Sequence, residues 1–299
     1  MEDTKSSINR RDFLRGATYA GLAMSMGLPF EFGIAQDEIK KTRVVLIRDK
    51  GVLDGKGNIN ADIISRMLDE AISALLDTEN PLKACKQLIK PDDIVGIKSN
   101  EWSYLPTPDE IEQAIYNRVR DTGVSGKNIE IDDRSVLDSE IFLNSTALIN
   151  VRPLKTHHWS GIGGCLKNYI MFVPQPSDYH DNSCADLATL WKLPVVKNKT
   201  RLNILVLLTP LFYGVGPHHF DSTYSWEYKG ILVGTDPVAV DSVGLYLLEK
   251  KREAYFDEPK PILPPPHHVA YADIRHNLGI SDLKKIEIVK LGWQKDILI

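Results

Sequence analysis

Apolar residues along this chain fall into two kinds of run, short unbroken ones and longer ones with a helical beat. Residues 42–48, 91–98, 128–132, 147–151, 202–208, 229–234 and 285–292 are short runs rich in Val, Ile and Leu, the pattern of strands. Residues 60–76 place Ile63, Ile64, Met67, Leu68, Ala71, Ile72, Leu75 and Leu76 on one face at helical spacing. A second helix is predicted from Thr107 to about Asp121, with Thr107 as cap, Pro108 in the first turn, Glu110 closing a capping box and Gly123 as the stop. Two more are expected at 236–250, opening on Pro237, and at 268–278, ending at Gly279. Strands alternating with helices predict an α/β fold, a mainly parallel sheet flanked by helices. The run 202–208 is almost wholly apolar and suits the middle of the sheet, whereas 285–292 alternates and suits an edge. Pro153 is expected to end the fourth strand, because proline cannot donate to a ladder. Residues 174–199 read as a lid or a plain insertion in a single large domain.

Length and charge narrow the function. The chain has 299 residues, 43% hydrophobic and 25% charged, with a net charge of −4. A mildly acidic protein is poorly suited to neutralising a nucleic-acid backbone, so any basic focus must be local and no nucleic-acid partner is expected. There are three cysteines, Cys85, Cys165 and Cys184, without Cys-x-x-Cys spacing. An iron–sulfur cluster or a zinc ribbon built by this chain alone is therefore not expected. A disulfide and a bound metal both stay open.

The first 35 residues read as a leader. Asn9-Arg10-Arg11-Asp12-Phe13-Leu14-Arg15 resembles a twin-arginine export motif, and a Gly- and Ala-rich apolar run follows from Gly16 to Leu28. The run is shorter than the ~20 residues that span a bilayer, so no stable membrane anchor is expected. Gly33 and Ala35 suit a cut before Gln36. This predicts export to the periplasm of a mature domain covering 36–299.

Candidate chemistry gathers where predicted strands end. Lys98 and Asn100, Asp132 and Asp133, Asn150 through His157, and Thr235 with Asp236 all follow strands, and ligands in α/β sheets bind at carboxyl ends. The basic stretch Arg152, Lys155, His157, His158 and Lys167 contains no acid and is interrupted by Gly161, Gly163 and Gly164. A glycine-rich turn feeding a helix start offers free backbone N–H groups to an anion. We therefore expect one cleft. Lys98, Lys155 and Lys167 hold negative charge there, with Gly163 and Gly164 offering backbone. Asn100, Asn150 and Asn168 orient the ligand. Asp236 is either part of this rim or a helix cap.

His157 can move a proton, bind a metal or contact an anion. Asp241 shares a helix face with Val238, Leu245 and Leu248, so its carboxylate must find a partner: a neighbouring loop, a salt bridge, or a Lys or His across the cleft. Cys165 sits where a helix start would stabilise a thiolate. Trp102, Trp159 and Trp226 either line a pocket or pack the core.

Several of these pieces together resemble a known family. Asn150-Val-Arg-Pro-Leu-Lys-Thr-His157, Gly163-Gly-Cys-Leu-Lys-Asn168, Gly214-Val-Gly-Pro217 and Thr235-Asp-Pro-Val-Ala-Val-Asp241 are similar to domain-of-unknown-function family 362, whose members often stand beside iron–sulfur modules. The resemblance implies a fold and site positions, with no assigned reaction. Relatives often carry an acid in the strand corresponding to 202–208; Val206-Leu207-Leu208 has none, which weakens an inherited metal role. Three functions follow as expectations. One is an exported enzyme acting on a small anion through Lys155, His157 and Asp241. Another is a cofactor- or metal-dependent redox protein working with an iron–sulfur partner subunit. The third is a non-catalytic binding protein.

Overall fold

The structure is a computed structural model that describes residues 41–214 and 220–299. The leader lies outside the described residues, as do Val215–Pro217 of one family motif and the His218–His219 pair. The strands are β1 (Thr42–Arg48), β2 (Val95–Lys98), β3 (Ile129–Asp132), β4 (Ala147–His157), β5 (Gly161–Gly163), β6 (Thr200–Leu211), β7 (Gly230–Gly234) and β8 (Ile286–Gly292). They form one sheet in the order β3-β2-β4-β6-β7-β1-β8, with β5 added to β4. The central strands β4 and β6 lie side by side and parallel, and β8 stands at an edge. The α/β expectation and the placing of both 202–208 and 285–292 hold.

Each face of the sheet is covered. On one face lie α1 (Ala61–Leu75), α2 (Pro81–Leu88) and α3 (Asp109–Asp121), which bury Ile64, Met67, Ala84, Ile111 and Ile115 with Ile149, Val151 and Ile204. On the other lie α5 (Cys165–Asn168), α6 (Pro237–Phe256) and α7 (His267–Ile274), which bury Leu166, Val243 and Val269 with Leu148, Leu154 and Leu205. Alternate residues of β4 and β6 serve opposite cores, and this explains why both read as unbroken apolar runs. A short α4 (Glu140–Leu143) precedes β4.

Several local expectations change. β4 does not stop at Pro153 but continues to His157. β2 ends at Lys98 opposite Asn150, and β5 joins only at Lys155, so Pro153 falls where that side of β4 has no neighbour. A proline is tolerated in such a gap. Thr107 does not cap α3: Pro108 takes the cap position without a side-chain bond, while Thr107 Oγ1 accepts the Asn100 N–H at 3.1 Å. Glu112, rather than Glu110, finds a nearby partner in the Ser99 hydroxyl. The unpredicted α2 opens on Pro81 with Asn80 accepting the Lys83 N–H at 2.8 Å, a cap worth about 1 kcal/mol. Residues 174–199 bury Leu187, Ala188, Leu190 and Trp191 in the core, so this insertion is packed into the body.

The largest change concerns β7, which runs antiparallel to both β6 and β1. Its Gly234 stands opposite Asn203 and Val44, near the starts of its neighbours. Thr235 and Asp236 therefore leave the sheet at the opposite end from the carboxyl ends of the parallel strands. Among the described residues between β6 and β7 there is a three-residue 3-10 turn, Ser222–Tyr224, and no α-helix, whereas a parallel pair needs a crossover.

Candidate functional site

The site arises from unequal strand lengths. β2 stops opposite Asn150 while β4 runs seven residues further, and that edge of β4 has no neighbour over residues 151–154 until β5 joins at Lys155. A cleft of about 270 Å³ lies there. The loop after β2 contributes Asn100 and Trp102; the end of β3, Asp133 and Arg134; β4, Arg152, Lys155 and His157. Trp159 comes from the β4–β5 turn, Lys167 and Asn168 from α5, and His180 from the insertion. Alternation puts Arg152 on the β4 side of Leu148 and Leu154, and Lys155 and His157 on the other. Both sets reach one cleft because it sits at the open edge, where neither face is closed.

Of the residues expected here, Asn100, Lys155, His157, Lys167 and Asn168 line the cleft. Lys98 lies fully buried at its base, ion-paired with Asp133 and donating to Ser99 O at 2.7 Å. Burial pushes Lys98 down to about 8 although Asp133 pulls it up, and Lys98 with the Glu101 N–H holds the Asp133 carboxyl below its ordinary range against burial. Asn150 stands behind Asn168. It accepts from Asn168 Nδ2 at 2.8 Å and donates to Cys165 O at 3.0 Å and Asn203 Oδ1 at 3.1 Å. Asn168 also donates to Lys98 O at 3.1 Å and Val151 O at 3.2 Å, so this amide chain joins three strands to α5.

The glycine turn does not present its N–H groups to a ligand. Asp241, on α6, accepts the Cys165 N–H at 2.6 Å and the Leu166 N–H at 2.9 Å. The helix start is thus filled by the protein's own carboxylate. A Cβ on Gly164 would lie inside that carboxylate, and one on Gly163 would lie 2.9 Å from the Arg152 guanidinium. The two glycines are there for clearance. Burial pushes Asp241 up to about 7, opposed by the two N–H groups and Arg152. The Cys165 thiol is driven well above its ordinary value by burial and then by Asp241, the reverse of an activated thiolate. All three cysteines are free and buried. Asp236 caps α6 through the N–H groups of Val238 (2.8 Å) and Ala239 (3.1 Å) and also takes that of Ile280 (2.8 Å). It lies outside the cleft.

Positive charge dominates what remains. The Arg152 guanidinium donates to Gly164 O at 3.2 Å, but its Nε is buried without a partner among the described residues. Lys167 Nζ is also buried and meets no oxygen or nitrogen partner among the described residues; burial brings it down to about 8, opposed by the Cys184 thiol within hydrogen-bonding reach. Lys155 Nζ donates to Asn100 Oδ1 at 2.9 Å and stands 4.0 Å from the centre of the Trp102 ring. Burial, then Arg152, holds it well below an ordinary lysine. His157 Nδ1 accepts the Trp159 N–H at 3.2 Å, so the neutral ring carries its proton on Nε2. Burial and then Lys167 keep its protonated form strongly disfavoured.

Three contributors were missed as site residues. Arg152 was visible in the basic stretch but had no assigned role. His180 stacks on Trp159 with ring centres 3.7 Å apart. His268 is fully buried on α7, both ring nitrogens lack partners among the described residues, and burial, then Lys167 and Arg152, lowers it to about 3. Nothing local in the sequence marks it. Trp102 and Trp159 line the cleft, while Trp226 packs on Phe212 and Tyr228. Among the described residues no group of three or more His, Cys, Asp or Glu side chains is placed to hold a metal ion. No helix among them is long and apolar enough to cross a membrane.

Comparison with curated proteins and with solved structures returns no match. Residues 111–246 match the family described as a domain of unknown function (DUF362). That span takes in every cleft residue from Asp133 to His180 and also Asp241, and leaves Asn100 and Trp102 outside it. The chain thus carries a DUF362 domain over residues 111–246.

Proposed function

We propose that the cleft binds a small anion, a carboxylate or a phosphate, and performs acid–base chemistry on it. One observation carries this. Two cationic atoms, Lys167 Nζ and Arg152 Nε, are buried with no carboxylate or carbonyl partner among the described residues, and the carboxylate in the lining, Asp133, is already committed to Lys98. A buried donor left unmade costs about 1–3 kcal/mol, more when charged. An anion between Arg152, Lys155 and Lys167 removes that cost. A bound negative charge also raises the affinity of His157 and Lys155 for protons, so each can exchange one with the ligand. Asp241 acts at one remove by pinning the turn that carries Lys167.

The direct test titrates the full chain with inorganic phosphate and with succinate by calorimetry. Micromolar to low-millimolar binding that Arg152→Ala and Lys167→Ala each weaken is expected. Absence of any binding at 10 mM ligand, roughly the weak end of specific affinities, would dismiss the reading.

Export by the twin-arginine route is proposed on the Arg10–Arg11 pair and the apolar run after it. Replacing both arginines with lysine should trap the protein in the cytoplasm; undiminished periplasmic protein from that variant would refute it.

A further inference from the structure

Two buried lysines, Lys98 beside the cleft residue Asp133 and Lys155 in the cleft lining, keep different company. Lys98 is fully buried and paired with the Asp133 carboxylate, which fixes it as a charged structural group. Lys155 has an amide oxygen, Asn100 Oδ1, as its hydrogen-bond acceptor, and the face of Trp102 on another side. Its remaining side opens to the cleft, among Arg152 and Lys167. A lysine held among other cations and away from any carboxylate of its own is placed as a nucleophile.

We propose that Lys155 forms an imine with the carbonyl carbon of a small 2-oxo acid whose carboxylate lies against Arg152 and Lys167. The inference rests on the anion reading of the same cleft. A 2-oxo acid fits because its carboxylate is bonded directly to its carbonyl carbon. The cations that bind the one therefore hold the other beside Nζ, a gain from positioning alone. A cleft of about 270 Å³ suits a molecule of this size.

The step balances without an oxidant or reductant. The unprotonated amine adds to the carbonyl carbon, a C–N bond forms and the C=O π pair moves onto oxygen. A proton passes from nitrogen to that oxygen, the hydroxyl takes one further proton from water, and it leaves as water. The product is a protonated imine. Burial, then the Arg152 charge, favours the unprotonated amine more than in an ordinary lysine. Asn100 aims it, and the indole of Trp102 shields it from solvent.

Incubating the full chain with pyruvate, and separately with 2-oxoglutarate, under sodium borohydride reduces any imine to a stable secondary amine that mass spectrometry locates. One adduct per chain, mapped to Lys155 and absent with lactate, is expected. Lys155→Arg should lose it while keeping the wild-type melting temperature. Peptide mapping on the unaltered chain gives the same answer if that variant fails to fold. No adduct with either acid, or adducts spread over exposed lysines, overturns the proposal. Lactate separates the two ideas, since it keeps the carboxylate and lacks the carbonyl. If lactate or phosphate binds and no adduct forms, the imine falls and the anion reading stands; if neither binds, both fall.

Discussion

The turn from Gly161 to Asn168 has two sides, and they treat charge in opposite ways. Behind it, Asp241 meets two backbone N–H groups at 2.6 and 2.9 Å, and the helix start there is fully answered by the protein. In front, Lys167 and Arg152 present buried donors that the described residues do not answer. A polar group buried with a partner holds the fold together; one buried without a partner is an expense that folding bears for a ligand. The glycines, which look like an anion cradle in sequence, belong to the first side. The lysine and arginine belong to the second.

Removing a carboxylate that already has its buried partner should produce the largest effects. Asp133→Ala strands the fully buried Lys98 and should destabilise by about 3–5 kcal/mol. Because Asp133 is what holds the Lys98 amine up near 8, its removal lowers that amine further, so the loss should shrink as pH rises toward 8 and level off above it. Urea unfolding at pH 7 and pH 9 reads both, and a loss below 1 kcal/mol at pH 7, under the ~3 expected, would show the pair to be ornamental. Asp241→Ala leaves two buried N–H groups without an acceptor and should cost about 3 kcal/mol, with weakened anion binding as a consequence of the loosened turn.

On the unsatisfied side the sign reverses. Lys167→Ala removes a buried cation that no carboxylate answers among the described residues, so unfolding free energy should hold or rise slightly, while phosphate affinity falls about tenfold, the ~1.4 kcal/mol of one modest charged contact. A variant that loses stability and keeps its affinity would invert the comparison.

The smallest effect is the pH profile. Lys167 titrates near 8 in the free protein, and only its charged form attracts an anion. Affinity should therefore be level below pH 7 and decline as pH rises through 8, with Lys167→Arg flattening the decline because arginine stays charged. The free protein should show the reverse trend in stability. The folded amine releases its proton at lower pH than the unfolded one, so between about 8 and the ordinary lysine value of 10.5 the fold gains stability as pH rises.

Much of this was legible beforehand. Strand runs such as 42–48 and 229–234, and the helical beat of 60–76, depend on short-range burial patterns and appear nearly residue for residue. The basic stretch around Lys155 and Lys167 was visible because a run of cations without acids is unusual in a chain carrying net −4. Helix α2 could have been read from Asn80 and Pro81, a capping residue and a first-turn proline. Other features left no local trace. Pro153 reads as a stop in sequence, yet whether proline ends a strand depends on which neighbours the fold places beside it. Asp236 was grouped with the rim because a strand's direction within its sheet is not written in its own residues. His268 stands at the start of the helix predicted over 268–278, and only the packing of α7 buries it and brings it near Lys167 and Arg152.

The sequence by itself determined the α/β alternation, which apolar faces had to be buried, and that several cations would converge near the ends of strands. Those follow from periodicity and from the cost of exposing apolar surface, both local properties. The tertiary structure alone decided which cations were answered and which were left open. The direction of β7, the length by which β4 outruns β2, and the placing of the Asp241 carboxylate against Cys165 and Leu166, 76 and 75 positions away, are contacts between distant segments. A carboxylate neutralises whatever the fold brings within a few ångströms, and sequence spacing does not encode that distance.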